Sequence, residues 1–273
     1  MKKLSVNYCT ARNFGDKLNI DIPRDLFGIE VVKGGKISSE AVFIGSMLGS
    51  FFIGNLFSFR RLKGLFFRSS VIVWGAGFMN PEYKKRYAVR RFDIRAVRGY
   101  LTLERMKKIT GKNLENVVVG DPGLLCNRLI DVSKIKKKYK LGIIPHIDYK
   151  NHKLLKKIKV KNSTVIDLSL DPKEFLPKIA ECENIISSAL HGLVAADSLG
   201  IPNIRMIIPN HDVKDFDYKY NDYYSAFGMK GYPIIDLRKR GFTDSDLPLK
   251  LQIPKSKIDK ICKDLIKSFP YKK

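Results

Sequence analysis

Residues 184–203, Asn-Ile-Ile-Ser-Ser-Ala-Leu-His-Gly-Leu-Val-Ala-Ala-Asp-Ser-Leu-Gly-Ile-Pro-Asn, read as a buried strand that turns into a helix. Asn184-Ile185-Ile186 is a short apolar run of strand type. Leu190, Leu193, Val194 and Leu199 then recur at the spacing of one helical face, Gly200 ends the run and Pro202 prevents its return. Either Ser187 or Ser188 is the expected N-cap. A helix start leaves backbone N–H groups unpaired and carries the positive end of the macrodipole, so this junction suits an anion. His191 stands one turn inside, either as a satisfied core histidine or as a group that serves the anion.

Outward from this stretch, short β-rich runs alternate with helical ones. Strands are expected at 4–9, 28–32, 41–44, 71–74, 94–97 and 117–119, then at 141–144, 165–168, 184–186 and 203–208. Helices are expected at 100–110, 152–158, 172–182, 189–199 and 255–269. Two β/α blocks joined around 126–140 predict an α/β fold of two Rossmann-like domains facing a cleft. The expected division is 1–130 for the N-terminal domain and 131–273 for the C-terminal domain. The terminal helix is expected to pack outside or to return to the first domain.

The chain has 273 residues, 44% of them hydrophobic, enough for a substantial core. Its 51 lysines and arginines against 27 acids give a formal charge of +24, spread along the whole length. Such a surface suits nucleic acid, anionic lipid head groups or phosphorylated metabolites. Cys9, Cys126, Cys182 and Cys262 stand far apart, which indicates neither a zinc site nor a disulfide framework and fits a reducing cytoplasm. The N-terminus is too short and polar for a signal sequence and reads as a first strand. Residues 41–59 carry no charge and precede Arg60, Arg61 and Lys63. Glycines and serines dilute this run, which opens like a strand running into a helix, so it is expected as a buried core helix, with an interfacial membrane contact or a true span as the alternatives.

Six expected strand ends carry small or reactive residues: Gly45-Ser46, Gly75-Ala76-Gly77, Arg98-Gly99, Gly120-Asp121-Pro122-Gly123, Pro145-His146 and Ser187-Ser188. In doubly wound sheets these tips line the ligand crevice, although a glycine after a strand often does no more than make a turn. Gly75-Ala76-Gly77 runs into Asn80-Pro81 and completes no dinucleotide fingerprint, and Gly-Lys-Ser/Thr is absent, which argues against NAD and a P-loop. Asn13-Phe14-Gly15-Asp16 follows the first strand, either presenting Asp16 to the cleft or making a plain Asx turn into a helix. Arg98 ends a strand, where an unpaired buried guanidinium is costly, so it must reach solvent or pair with an anion. His146 repeats the pattern from another strand.

These pieces, with Val97-Arg98-Gly99, Gly142-Ile143-Ile144-Pro145-His146 and Asp222-Tyr223-Tyr224 in the same order, resemble the bacterial polysaccharide pyruvyl transferases over about residues 8–230. The resemblance implies a GT-B-like pair of domains and transfer of a pyruvyl group from phosphoenolpyruvate to two hydroxyls of one sugar. A cyclic ketal forms and phosphate leaves, with no metal or other cofactor implied. The donor's carboxylate and phosphate are expected at Arg98 and at the helix start of Ser187 and Ser188, with Leu190, Gly192, Gly75 and Gly77 around them. His191 is the expected acid or phosphate stabiliser, Asp16 the expected base, and His146 an alternative for either. Asn13, Tyr223 and Tyr224 are the expected acceptor contacts, the tyrosines offering flat faces to a sugar ring.

Many members of that family carry arginine where this chain has Ala189, which shifts donor binding towards Arg98 or a nearby lysine. Acceptors in such pathways resemble lipid-linked oligosaccharides at the inner leaflet. The resemblance therefore implies a cytoplasmic protein, peripheral at an anionic membrane face through its basic surface. Three alternatives accompany this reading. A sugar-nucleotide glycosyltransferase of the same fold needs paired acids after the phosphate-binding helix, and none is well placed. A nucleic-acid-binding module rests on charge alone, without a recognisable motif, so no nucleic acid is expected. An inactive scaffold is motivated by Ala189.

Overall fold

The computed structural model describes residues 2–9, 13–36, 38–66, 69–81, 87–208 and 217–271. The strands of the first half are β1 (Lys2–Val6), β2 (Ile29–Lys33), β3 (Ala41–Val42), β4 (Phe52–Ile53), β5 (Val71–Trp74), β6 (Tyr87–Ala88), β7 (Phe92–Val97) and β8 (Val118–Val119). Those of the second half are β9 (Tyr139–Ile144), β10 (Ile158–Lys159), β11 (Ser163–Val165), β12 (Cys182–Ser187), β13 (Asn203–Ile207), β14 (Ile234–Asp236) and β15 (Phe242–Thr243). The helices are α1 (Phe14–Phe27), α2 (Phe59–Leu65), α3 (Tyr100–Thr110), α4 (Pro172–Ala180), α5 (Leu190–Ser198), α6 (Tyr218–Ser225) and α7 (Lys255–Ser268).

Two separate parallel sheets organise the chain, one in the order β2-β1-β3-β5-β7-β8 and one in the order β11-β9-β12-β13-β14. Their central strands are nearly continuous apolar runs, such as Val-Ile-Val-Trp in β5, as strands covered on both faces must be. The strand order reverses at β1/β3 in the first sheet and at β9/β12 in the second. At such a reversal the connections leave to opposite faces and open a crevice at the carboxyl ends of the strands. This mixed α/β architecture is consistent with the expected two lobes facing a cleft.

The halves share packing. Leu4, Leu18 and Trp74 of the first belong to one apolar cluster with Ile144, Phe175 and Val194 of the second. Phe14 at the start of α1 stacks on Phe175 of α4 with centroids 4.3 Å apart. The terminal helix returns to the first sheet: the Trp74 indole donates to the Leu265 carbonyl at 3.1 Å, and Phe269 stacks on Phe27 at 3.8 Å.

Several expectations need correction. Residues 41–59 form no core helix. β3, a 3-10 turn over Leu48–Phe51 and β4 divide them, with Gly45 at φ 105°, a backbone region open to glycine. Phe43, Leu48, Phe51 and Phe52 are nonetheless buried, so the first part of the run is core. The expected helix at 152–158 is a 3-10 turn over Lys153–Lys157, entered through His152, whose Nδ1 accepts the Leu154 amide. β11 starts two residues before the expected 165–168 and ends at Val165, and periodicity misses β14, a three-residue edge strand too short to show a period. Among the described residues no helix is long and apolar enough to cross a membrane.

Candidate active site

α5 begins at Leu190 with Ala189, neither serine, at its N-cap, and no side chain caps it. The serines act one step earlier. Ser187 Oγ accepts the Ala189 amide at 3.0 Å, and Ser188 Oγ accepts the His146 amide at 2.7 Å, so they shape the crossing from strand to helix at the β9/β12 reversal. Leu190 is buried, and a β-carbon at Gly192 would fall 2.4 Å from Ser187 Oγ, so only glycine lets α5 approach the strand this closely. The ring of His146 stays with its own turn, Nδ1 lying 3.2 Å from Asp148 Oδ2.

His191 reaches from the first turn of α5 to the opposite lobe. A β-carbon at Gly15 would fall 2.0 Å from its Nδ1, so the imidazole occupies the space that glycine leaves. Its Nε2 lies 3.7 Å from Asp121 Oδ2, beyond hydrogen-bond distance. Both atoms are buried, and neither has a hydrogen-bond partner among the described residues. Asp121 is fully buried and uses its other oxygen to accept the Gly123 amide at 2.8 Å.

Each residue of Asn13-Phe14-Gly15-Asp16 has a separate task. Asn13 Oδ1 accepts the Asp16 amide at 3.0 Å as the N-cap of α1, and its Nδ2 donates to the Asp16 carboxylate. Phe14 packs on the second lobe, Gly15 admits the histidine and Asp16 stands within reach of its charge. Burial pushes the Asp16 carboxyl up to about 6, against the opposing pull of His191 and Asn13. The Asx turn and the presentation of Asp16 are therefore one arrangement.

Arg98 lies at the tip of β7 and has no exposed surface. Its Nε donates to Asp222 Oδ2 at 2.9 Å, its Nη1 to Ser46 Oγ at 2.6 Å and its Nη2 to the Phe78 carbonyl at 2.6 Å. Asp222, on α6, also accepts the Thr102 amide at 2.8 Å and the Thr102 hydroxyl at 2.7 Å. The anion that Arg98 requires is thus supplied by the chain itself, across the two halves. Gly77 makes room for the guanidinium, whose Cζ would lie 2.4 Å from a β-carbon there. Gly75, at φ 88°, packs on Pro122. Among the described residues no three His, Cys, Asp or Glu side chains are grouped to hold a metal ion.

The chain matches the family model described as polysaccharide pyruvyl transferase over residues 2–211. It belongs to the polysaccharide pyruvyl transferase family. The succinoglycan biosynthesis protein ExoV of Rhizobium meliloti is 26% identical over 163 residues, 59% of this chain and 49% of that protein. An uncharacterised protein of Acanthamoeba polyphaga mimivirus, L143, is 31% identical over 165 residues, 59% of this chain and 56% of its own. The chain spans about half the length of these curated relatives. A crystal structure of a functionally uncharacterised Klebsiella pneumoniae protein superposes with a TM-score of 0.49 at 15% identity, covering 86% of this chain and 92% of that one.

Within this family member, Tyr223 and Tyr224 are buried. The Tyr223 hydroxyl donates to Asp197 at 2.8 Å, and Tyr224 stacks on Tyr232 with centroids 4.2 Å apart, which leaves neither ring a face for a sugar. Burial raises the Asp197 carboxyl to about 7. Sequence reasoning placed Asp121 at a strand tip without assigning it, and it passed over Lys219. That lysine lies on α6, one turn before Asp222, and is buried; desolvation first, then the charges of Arg98 and Arg205, lower it to about 7. Arg205 in turn pairs with Asp217 and lies 3.9 Å over the Tyr220 ring. The Tyr220 hydroxyl donates to the Ser188 carbonyl at 2.9 Å, which ties α6 to the start of α5. Lysine among tyrosines, Tyr218-Lys219-Tyr220, reads as a solvated helix face, so no local signal marked it.

Proposed function

We propose that the chain transfers the pyruvyl group of phosphoenolpyruvate to two hydroxyls of one sugar, in a surface polysaccharide or its lipid-linked precursor. One observation carries this reading: in a chain of this family, His191 of one lobe meets Asp16 and Asp121 of the other. A proton goes to the donor's methylene carbon while the first hydroxyl oxygen bonds to the adjacent carbon. The second hydroxyl oxygen then displaces phosphate from that carbon, and each hydroxyl gives up its proton.

His191 is the proton donor or the stabiliser of the departing phosphate, and Asp121 faces its Nε2. Asp16, with its carboxyl raised to about 6, is ionised at neutral pH and basic enough to take a sugar proton. The uncapped start of α5 offers backbone N–H groups to one anionic end of the donor. Ala189 supplies no guanidinium for the other. Lys219 is the nearby lysine that we assign to it, while Arg98 fixes the geometry through Asp222 rather than meeting the donor. Ser187, Ser188, Gly192, Gly75 and Gly77 shape the crevice, Asn13 aims Asp16, and His146 follows the β9 tip, its amide held by Ser188 Oγ.

A GT-B-like division near residue 130, and a cytoplasmic setting beside lipid-linked acceptors, belong to the same reading. The test incubates the protein with phosphoenolpyruvate and lipid-linked oligosaccharides, following phosphate and the mass of the acceptor. Phosphate release that needs both substrates, with the acceptor gaining one pyruvate ketal, is the expected result. Turnover of a uridine or guanosine diphosphate sugar instead, with phosphoenolpyruvate left intact, would overturn it.

A further inference from the structure

Three aromatic rings stand almost free of the protein: Phe57, Phe59 and Phe66 are 83%, 80% and 85% exposed, and Leu62 between them is 51% exposed. All four fall on or beside the seven-residue α2. The helix is held flat by Gly64, where a β-carbon would fall 2.0 Å from the Val89 carbonyl oxygen, so its backbone presses on the lobe. Large apolar side chains gathered in so short a stretch are costly in water and mark a surface that meets something apolar.

The charge around them says what that is. Residues 41–81 contain no acid and four basic residues, Arg60, Arg61, Lys63 and Arg68, in a chain of net charge +24. Lys63 is exposed beside the rings. Two copies meeting through this face would bring like charges together, whereas an anionic lipid surface pairs with the bases and accepts the rings at its headgroup boundary. We propose that Phe57, Phe59, Leu62 and Phe66, with the exposed Lys63 beside them, form a docking surface for an anionic lipid bilayer. The membrane contact considered for 41–59 thereby narrows to the end of that run, Phe57 and Phe59, and extends into the helix after it, while Phe43, Leu48, Phe51 and Phe52 are buried. This inference does not depend on pyruvyl transfer, because binding is read without substrate.

Vesicle flotation tests it, using phosphatidylcholine alone or mixed with phosphatidylglycerol. The protein is expected to float with the anionic vesicles, and to lose binding near 1 M salt, where screening acts within about 3 Å. Combined Phe57→Ser, Phe59→Ser and Phe66→Ser substitution should lower the bound fraction about tenfold or more, with the unfolding midpoint unchanged because the rings are already in solvent. Lys63→Glu alone should lower it by a smaller factor. Failure of the unaltered protein to float with anionic vesicles, or equal flotation of the triple variant, would overturn the proposal. So would an oligomer that the triple variant dissociates while vesicles bind neither form.

Discussion

Two buried carboxylates face basic side chains across the two halves, and they are treated differently. Asp222 lies 2.9 Å from Arg98 and accepts two further bonds from Thr102, so the group is closed on itself. Asp121 lies 3.7 Å from His191, and the facing oxygen and nitrogen have no hydrogen-bond partner among the described residues. A buried charge whose bonds are complete holds structure together. A buried pair left open keeps the capacity to take up a proton or a ligand, which is where perturbed groups gather in sites of chemistry. The arginine that sequence reading assigned to the donor is clamped by Asp222 instead, and the histidine of the open pair is the group we propose as reactive.

The largest expected effect breaks the clamp. Asp222→Ala leaves a guanidinium buried without its carboxylate and should cost about 3–5 kcal/mol in urea unfolding. Asp121→Asn, at the open pair, should leave stability within about 1 kcal/mol of the parent while slowing phosphate release. Equal stability losses in the two variants would erase the contrast. Next, Gly15→Ala drives a β-carbon into the space of the His191 ring, and a displacement of that size should slow phosphate release about 100-fold; an unaltered rate would show that the ring's position is immaterial.

The pH dependence sharpens the same distinction. Asp16 accepts a proton only when ionised, so the rate should climb as pH rises through about 6 and level off above it. Asp16→Asn should remove that limb and lower the plateau; a limb that persists in the variant belongs to another group. The smallest effect concerns Lys219. Lys219→Met should raise KM for phosphoenolpyruvate about tenfold with kcat little changed. In the unaltered protein KM should rise as pH passes about 7 and the lysine loses its charge. An unchanged KM in the variant would return that role to the helix start.

Much of this was legible in the sequence because parallel strands write themselves as apolar runs and their tips as glycine-rich turns. Residues 184–203 read as a strand that turns into a helix with the histidine in its first turn, and α3 lies over the residues that its apolar spacing marked. The error at the N-cap has a local cause: two serines in a row look equivalent, and only their partners, the Ala189 amide two residues on and the His146 amide after β9, show that both turn back on the strand ends. The roles of Arg98, Tyr223 and Tyr224 were hidden for a similar reason. Their partners, Asp222, Asp197 and Tyr232, lie far away along the chain or beside residues that look equally polar. The run at 41–59 misled because lack of charge does not choose between a helix and a series of turns, and the run holds the exposed Phe57 and Phe59 as well as the buried Phe43 and Phe51.

The most direct test of the division between clamp and reactive pair is product formation by His191→Gln. With phosphoenolpyruvate and an acceptor that the parent protein converts to its pyruvate ketal, the variant should unfold at the parent's midpoint yet form ketal about 100-fold more slowly, or worse. Ketal formation at the parent rate would contradict the assignment of His191 and, with it, the reading of the open pair as the reactive centre.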